Sequence, residues 1–301
     1  MVTDRRDPAV TSVHVLAPAK LNLGLAILGK RPDAYHEIDT IMAMIDIHDE
    51  ITVSLSGDGI RITGMDDVPL QSNLIYKAAH LWHAATGIDS GVEISIAKNI
   101  PSPGGIGGGS SDAAAVLLTL NDLHERPLSN ADLHSVASKI GADCPFFLGT
   151  SYARATGIGT ELRPVPPPTG HLVLVIPRTN IDAKTAALYG RLTAEDYGLT
   201  VAIDEIEQHL ASGSLPEATL PNSFWRPAMQ LFPGMRDLAD RMAGVVGSVS
   251  LSGSGPTLFG LTESHETAER WAAELAELTA GEAQVTSAQF LQHRPLPEFI
   301  P

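Results

Sequence analysis

Apolar residues alternate with polar ones at Leu21, Leu23, Leu25 and Ile27, at Ile51, Val53 and Leu55, and at Val92, Ile94 and Ile96. This period of two predicts three half-buried strands. Helical spacing lies between and after them. Residues 73–85 carry Leu74, Ala78, Leu81 and Trp82 on one face, and residues 113–123 present Val116, Leu120 and Leu123 at i, i+4 and i+7. Further on, the apolar run 172–176 reads as a buried strand, and 183–238 is rich in helical patterns. The short apolar segments 246–251 and 257–261 flank Ser252-Gly253-Ser254-Gly255-Pro256, which predicts two strands joined by a tight turn. Ser264 is placed to cap a helix striped by Ala268, Trp271, Ala272, Leu275 and Leu278, and a last strand is expected over 284–291.

No fixed-period repeat is visible. Arg163-Pro164-Val165-Pro166-Pro167-Pro168 can neither continue a helix nor sit inside a sheet, so it marks a domain junction between 10–165 and 166–300. Strands and helices mix in both halves without the regular alternation of a doubly wound sheet, and the expected class is α+β. A length of 301 residues fits two domains of about 150 each.

Composition narrows the chemistry. Against 20 Lys and Arg stand 35 Asp and Glu, a formal net charge of −15 that repels polyanions and anionic lipid headgroups. Nucleic acid and membrane surfaces are therefore not expected partners. Cys144 is the single cysteine and cannot form an intrachain disulfide. The apolar runs 113–118 and 172–176 fall far short of the roughly 20 residues that span a bilayer, and no apolar stretch follows the charged residues 4–8. A soluble, cytoplasmic protein is expected.

The sharpest local feature is Ile100-Pro101-Ser102-Pro103-Gly104-Gly105-Ile106-Gly107-Gly108-Gly109-Ser110-Ser111-Asp112, between a strand ending near Ala97 and a helix expected from Ala113. Glycines without Cβ atoms let an anion approach backbone N–H groups closely, and a helix N-terminus adds its positive dipole end. Ser110 and Ser111 are placed to cap that helix and donate hydroxyl hydrogen bonds. A polyphosphate suits such a loop. The Walker pattern fails because no lysine follows Gly109, and the dinucleotide fingerprint fails for want of an acidic residue on a second parallel strand. A free surface turn would need neither the flanking strand nor the alanine-rich helix.

Two segments can supply reacting groups. In Ala17-Pro18-Ala19-Lys20-Leu21-Asn22-Leu23, period two puts Lys20 and Asn22 on one face of a strand. In Gly141-Ala142-Asp143-Cys144-Pro145-Phe146-Phe147, Asp143 sits between a glycine and an apolar run, where a partly desolvated carboxylate paired with Lys20 could accept a hydroxyl proton. Taken singly, Lys20 reads as an edge-strand lysine and Asp143 as a turn or cap residue. Tyr35-His36 follows the basic turn Gly29-Lys30-Arg31-Pro32-Asp33-Ala34 and suits a planar heterocycle, although alone it reads as a hairpin tip with a packed tyrosine. Cys144 reads as a packed small hydrophobe, His80 and His83 lack a third metal ligand, and Asp66-Asp67 reads as a solvated pair.

Three motifs in this order, Pro18-Ala19-Lys20-Leu21-Asn22, Pro103 to Ala114 around the glycines, and Ser252-Gly253-Ser254-Gly255-Pro256-Thr257, resemble those of the GHMP kinases, the superfamily of galactokinase, homoserine kinase and mevalonate kinase. Arg31-Pro32-Asp33-Ala34-Tyr35-His36-Glu37 and 141–147 are similar to a branch that serves isoprenoid precursor synthesis; Asn73-Leu74-Ile75 and Leu231-Phe232-Pro233 also fit. The resemblance implies an N-terminal ATP-binding and catalytic domain like ribosomal protein S5 domain 2, and a ferredoxin-like C-terminal domain. It implies transfer of the γ-phosphoryl group of ATP, with Mg²⁺, to a hydroxyl of a small molecule bearing a cytidine diphosphate, by a monomer or homodimer. Asp143 would be the base and Lys20 its partner. Pro101, Ser102, Pro103, Gly104, Gly105, Ile106, Gly107, Gly108, Gly109, Ser110 and Ser111 would hold the nucleotide, with Ser111 helping to place Mg²⁺. Asn22, Tyr35, His36, Tyr189, Gly253 and Ser254 would hold the acceptor, Tyr189 through the segment Thr185-Ala186-Ala187-Leu188-Tyr189. Pro103, Ala34 and Ser223 stand where the family commonly has glycine or alanine, glycine, and aspartate. Another small-alcohol kinase and a nucleotide sensor without catalysis are the other readings.

Overall fold

The computed structural model describes residues 12–65, 68–179, 181 and 183–300. Residues 4–8 and Asp66-Asp67, singled out above, lie outside them. The chain opens with two long antiparallel strands, β1 (Ser12–Lys30) and β2 (His36–Leu55), followed by β3 (Ile60–Thr63), α1 (Leu74–Thr86) and β4 (Val92–Ala97). Helices α2 (Gly108–Leu123), α3 (Asn130–Ile140) and α4 (Cys144–Leu148) lead to strands β5 (Tyr152–Thr156) and β6 (Glu161–Pro164). The second half runs β7 (His171–Pro177), α5 (Lys184–Tyr189), α6 (Thr200–Ala211), α7 (Trp225–Leu231), α8 (Met235–Val246), β8 (Ser250–Leu251), β9 (Leu258–Thr262), α9 (His265–Thr279), β10 (Ala283–Gln289) and β11 (Glu298–Ile300).

Two sheets organise these elements. The first has the order β11-β1-β2-β4-β3, with β5 added on β2 and β6 on β5. The second is the antiparallel sheet β10-β7-β9-β8, which with its helices has the βαββαβ arrangement of a ferredoxin-like unit. The fold is α+β. Arg163 and Pro164 close β6, which among the described residues pairs with β5 alone, and a proline is tolerated on such an edge strand. The segment 165–170 then runs free of strand to β7. The last strand, β11, returns to the first sheet and pairs with β1.

Strand β2 is longer than the alternation over 51–55 suggests, because its middle, Ile41 to Ile45, is buried on both faces and so carries no alternation. One face of the first sheet packs α1, α2 and α3 through Trp82, Val116, Leu120 and Val136. The other meets the second half through Leu21, Ile41, Ile203, Leu174 and Phe259, a core common to both sheets. Each fully buried side chain of this kind contributes roughly 1.5–3 kcal/mol. On α1, the buried stripe is Ile75, Ala78, Ala79 and Trp82, with Leu74 and Leu81 at its half-buried margin, and Asn73 caps the helix by accepting from the Ile75 N–H at 2.9 Å. Ser264 caps α9 as expected, but the buried positions there are Ala268, Leu275 and Thr279, and Leu278 is exposed. Val246 ends a helix, so the strand expected over 246–251 shrinks to Ser250–Leu251.

Candidate active site

The glycine-rich segment joins β4 to α2. Helix α2 begins at Gly108, inside the segment, and its N-cap is Gly107 in the left-handed conformation (φ 79°) with no side-chain cap. Ser110 and Ser111 therefore do not cap the helix; Ser110 lies in its first turn, where N–H groups have no intrahelical partner, whereas the Ser111 N–H donates to the Gly107 carbonyl at 2.9 Å. Glycine is needed at 107 because a Cβ there would lie 2.9 Å from both Lys20 Cγ and Phe147 Cζ, at a left-handed φ. Ser111 is buried, and its Oγ has no hydrogen-bond partner among the described residues. Gly104, Gly105, Ile106 and Gly107 form the bend itself, and Gly108 and Gly109 open α2. Pro101, Ser102 and Pro103 border a cavity of about 480 Å³ shared with Ile176, Arg178 and Gln284. Pro103 has no N–H to offer an anion there.

Strand β1 brings Lys20 and Asn22 to this bend. The Lys20 N–H donates to the Ile106 carbonyl at 2.9 Å, tying strand to loop. Its ammonium lies 3.2 Å from the Asp143 carboxylate and donates to Asn22 Oδ1 at 2.7 Å. Asn22 Nδ2 donates in turn to Thr40 Oγ1 at 2.9 Å, and that hydroxyl to the Gly24 carbonyl at 2.6 Å. Lys20 is thus buried, its strand paired with β2 on one side and closed by the glycine-rich loop on the other. Asp143 occupies the N-cap position of α4 without making a side-chain cap bond, which leaves its carboxylate for Lys20. The lysine side chain is 4% exposed and that of Asp143 36%, so the cation is enclosed and the carboxylate sits at the mouth. Cys144 next to it is fully buried, and burial pushes its thiol up to about 11. The packed-hydrophobe reading fits that environment.

The loop Ser252-Gly253-Ser254-Gly255-Pro256-Thr257 packs directly on the glycine-rich bend. Thr257 Oγ1 donates to the Gly104 carbonyl at 2.6 Å, and a Cβ on Gly105 (φ 78°) would lie 2.3 Å from the Gly255 carbonyl oxygen. Asn222 Nδ2 donates to the Leu251 and Gly253 carbonyls at 2.8 and 3.0 Å. Gly253 comes against Asn22, and Ser254 Oγ stands 3.3 Å from Thr185 Oγ1. Ser223 accepts from the Ile27 N–H at 2.9 Å and donates to the Asp196 carbonyl at 2.5 Å, fastening the second half to β1.

Aromatic residues gather at the far end of β1. His36 and Tyr189 stack with centroids 4.3 Å apart at 21°, and Phe224 meets Tyr189 edge-on at 4.9 Å. Burial, helped by the Lys30 charge, holds the His36 imidazolium below its usual range, so the ring is neutral at pH 7. Tyr35 is not packed: it is 61% exposed and stands apart from that stack. Ala34 before it adopts φ 70°, a left-handed conformation that strains alanine by roughly 1–2 kcal/mol.

The GHMP kinases N-terminal domain model matches residues 73–150, and the GHMP kinases C-terminal model matches 217–280. A 4-diphosphocytidyl-2-C-methyl-D-erythritol kinase of Geobacter metallireducens is 41% identical over 269 residues, spanning 85% of this chain and 92% of that relative. The chain belongs to the GHMP kinase family. The enzyme of the same name from Thermus thermophilus is 38% identical over 261 residues, 86% of this GHMP kinase and 91% of the relative. A crystal structure of 4-(cytidine 5'-diphospho)-2C-methyl-D-erythritol kinase superposes with a TM-score of 0.79 at 36% identity, covering 92% of this chain and 98% of that one. Homoserine kinase from Cytophaga hutchinsonii shares the fold at a TM-score of 0.74 and 19% identity, with 98% and 99% coverage.

Two groups of this GHMP kinase carried no expectation from the sequence. Lys98 bridges Asp49 and Asp112, both fully buried, the latter at 2.7 Å. Asp49 also accepts from the Asn99 and Ile100 N–H groups at 2.6 and 2.8 Å, pinning the start of the glycine-rich segment. Burial, aided by the neighbouring Asp49 carboxylate and opposed by the Lys98 ammonium, pushes the Asp112 carboxyl up to about 7. The second group is Lys184, whose Nζ donates to the Gly255 carbonyl at 2.5 Å. In sequence each is an isolated charged residue, and only folding brings its partners to it. Among the described residues no cluster of His, Cys, Asp and Glu is arranged to hold a metal ion, and no helix is long and apolar enough to cross a membrane.

Proposed function

We propose that this chain transfers the γ-phosphoryl group of ATP to the 2-hydroxyl of 4-diphosphocytidyl-2-C-methyl-D-erythritol. The observation that carries the reading is the Lys20–Asp143 pair, 3.2 Å apart, at the mouth of the glycine-rich bend. The acceptor oxygen attacks the γ-phosphorus, the bond from that phosphorus to the ADP oxygen breaks, and the hydroxyl proton passes to the Asp143 carboxylate. Lys20, held by Asn22, orients the Asp143 carboxylate and offers positive charge to the group in transfer. The N–H groups at the start of α2 receive the nucleotide phosphates, and the aromatic end with Tyr35, His36 and Tyr189 receives the cytosine.

The buried Ser111 Oγ, without a hydrogen-bond partner among the described residues, suits a cation that keeps most of its ligands from phosphates and water, as Mg²⁺ does. When bound there, Mg²⁺ neutralises phosphate charge. A coupled assay of ADP release with the cytidylyl acceptor, with and without Mg²⁺, tests the proposal. ADP release that depends on that acceptor is the expected outcome. Faster turnover of a cytidine-free alcohol would reassign the acceptor, and no ADP release with any alcohol would leave a nucleotide sensor.

A further inference from the structure

Lys184 is the first residue of α5 and half-buried. Its Nζ donates to the Gly255 carbonyl, the oxygen that lies so close to Gly105 that no Cβ fits between them. The ammonium therefore sits at the seam of the two glycine-containing loops. Thr185 lays the start of the helix along the same seam through Ser254.

Its charge is uncompensated. No carboxylate among the described residues pairs with Lys184, and one hydrogen bond uses one of its three N–H donors. Burial and the nearby Lys20 charge push it down to about 8. Two ammonium groups thus converge on one cleft, while the carboxylate there, Asp143, is already taken by Lys20. In a chain with a formal net charge of −15, that is an unusual concentration of positive charge. An anion between the two lysines relieves their repulsion and recovers the cost of holding a desolvated cation without a counter-ion.

We propose that Lys184 is a second cation acting on the phosphoryl group in transfer, reaching it from the second half of the chain opposite Lys20. The inference rests on the phosphotransferase reading above and adds a residue to it. Charge developing on the transferred group would be met from two sides by preorganised ammonium groups.

A structural clamp on Gly255 is the competing role, and neutral donors separate the two. Lys184→Gln keeps a donor for the carbonyl but no charge, Lys184→Met removes both, and Lys184→Arg keeps both. Loss of one such transition-state contact typically costs about 10²–10³-fold in kcat. Both neutral variants are expected to lose kcat by at least about tenfold with the ATP dissociation constant nearly unchanged, and Lys184→Arg to recover most of it. Wild-type kcat in Lys184→Gln would reduce Lys184 to a clamp. A rise in acceptor KM at unchanged kcat would move the contact to the acceptor's own diphosphate; either result overturns the proposal. Binding of ADP with aluminium fluoride, a mimic of the group in flight, is measured alongside. Lys184→Gln should weaken that complex and leave ADP alone unaffected, whereas equal weakening of both would sink the inference. This arm needs no acceptor, so failure of the wild-type chain to release ADP would fall on the functional reading alone.

Discussion

The two ends of the cleft are built differently. At the phosphate end every element is cross-braced: Lys20 N–H to Ile106, Thr257 to Gly104, Asn222 to Gly253, and Asp49 to the N–H groups of residues 99 and 100. At the base end, His36 lies on Tyr189 at 4.3 Å and Tyr35 is exposed. On the proposed reading, a cytosine entering between these two rings needs about 3.5 Å on each side, roughly 7 Å in all, so the stack would have to open to admit it. The phosphate end is ready before its ligand arrives, whereas the base end gives up a ring contact worth about 0.5–1.5 kcal/mol first. The proposed function therefore expects ATP binding with little rearrangement and acceptor binding with a conformational step.

The largest break in this comparison is chemical. Asp143→Asn removes the proton acceptor while leaving the amide cradle untouched, and kcat is expected to fall by about 10²–10⁴-fold with ATP affinity retained. Full turnover in that variant would remove Asp143 from the mechanism. Next comes the cradle. Gly105→Ala places a Cβ 2.3 Å from the Gly255 oxygen at φ 78°, so backbone must move and both loops shift. ATP binding should weaken by at least about tenfold, from left-handed strain of roughly 1–2 kcal/mol plus the clash. Equilibrium titration with ATP checks it, and wild-type affinity would mean that the bend is not preformed.

Tyr189→Ala addresses the other end. Losing one stacking face costs about 1–3 kcal/mol per base, so the acceptor KM should rise by about tenfold or more while the KM for ATP stays put. Equal changes in both constants would erase the distinction between the two ends.

The same division explains what could be read from the sequence. The phosphate end is written in contiguous segments: Lys20 and Asn22 share a face by strand periodicity, and the glycines announce a close backbone approach. Two features escaped even there. Helix α2 starts at Gly108, against the low helix propensity of glycine, because burial of Ala113 to Leu117 against the sheet outweighs it. The Asp49–Lys98–Asp112 cluster joins three segments with no shared pattern. At the base end, Tyr189 faces His36 only because the second half folds over β1, a long-range contact that no local periodicity encodes. The middle of β2 was illegible for the opposite reason: burial on both faces removes the alternation that marks a strand.

The smallest expected effect concerns the brace behind Tyr189. Asp196 accepts from the Thr193 N–H at 2.7 Å and Thr193 Oγ1 at 3.0 Å, and from Arg226 Nε at 2.9 Å and its Nη2, while its own carbonyl receives Ser223. The Arg226 hydrogen bonds, aided by Thr193, hold its carboxyl below the ordinary 3.8. A depressed carboxyl stabilises the fold at pH values above 3.8, and that contribution disappears as pH falls through the lowered value in the folded chain. Arg226 is partly exposed, so solvent screening keeps the pair's contribution small, a shift of about 2–4 °C in Tm for a chain of this size. Asp196→Asn should therefore melt about 2–4 °C below wild type at pH 7, with the gap closing below pH 4. A gap that persists at acid pH would mean that the brace works through its neutral hydrogen bonds and not through charge. If the acceptor KM rises alongside, the wall behind Tyr189 sets how readily the stack opens, and the base end is then tuned from its outer surface while the phosphate end is fixed from within.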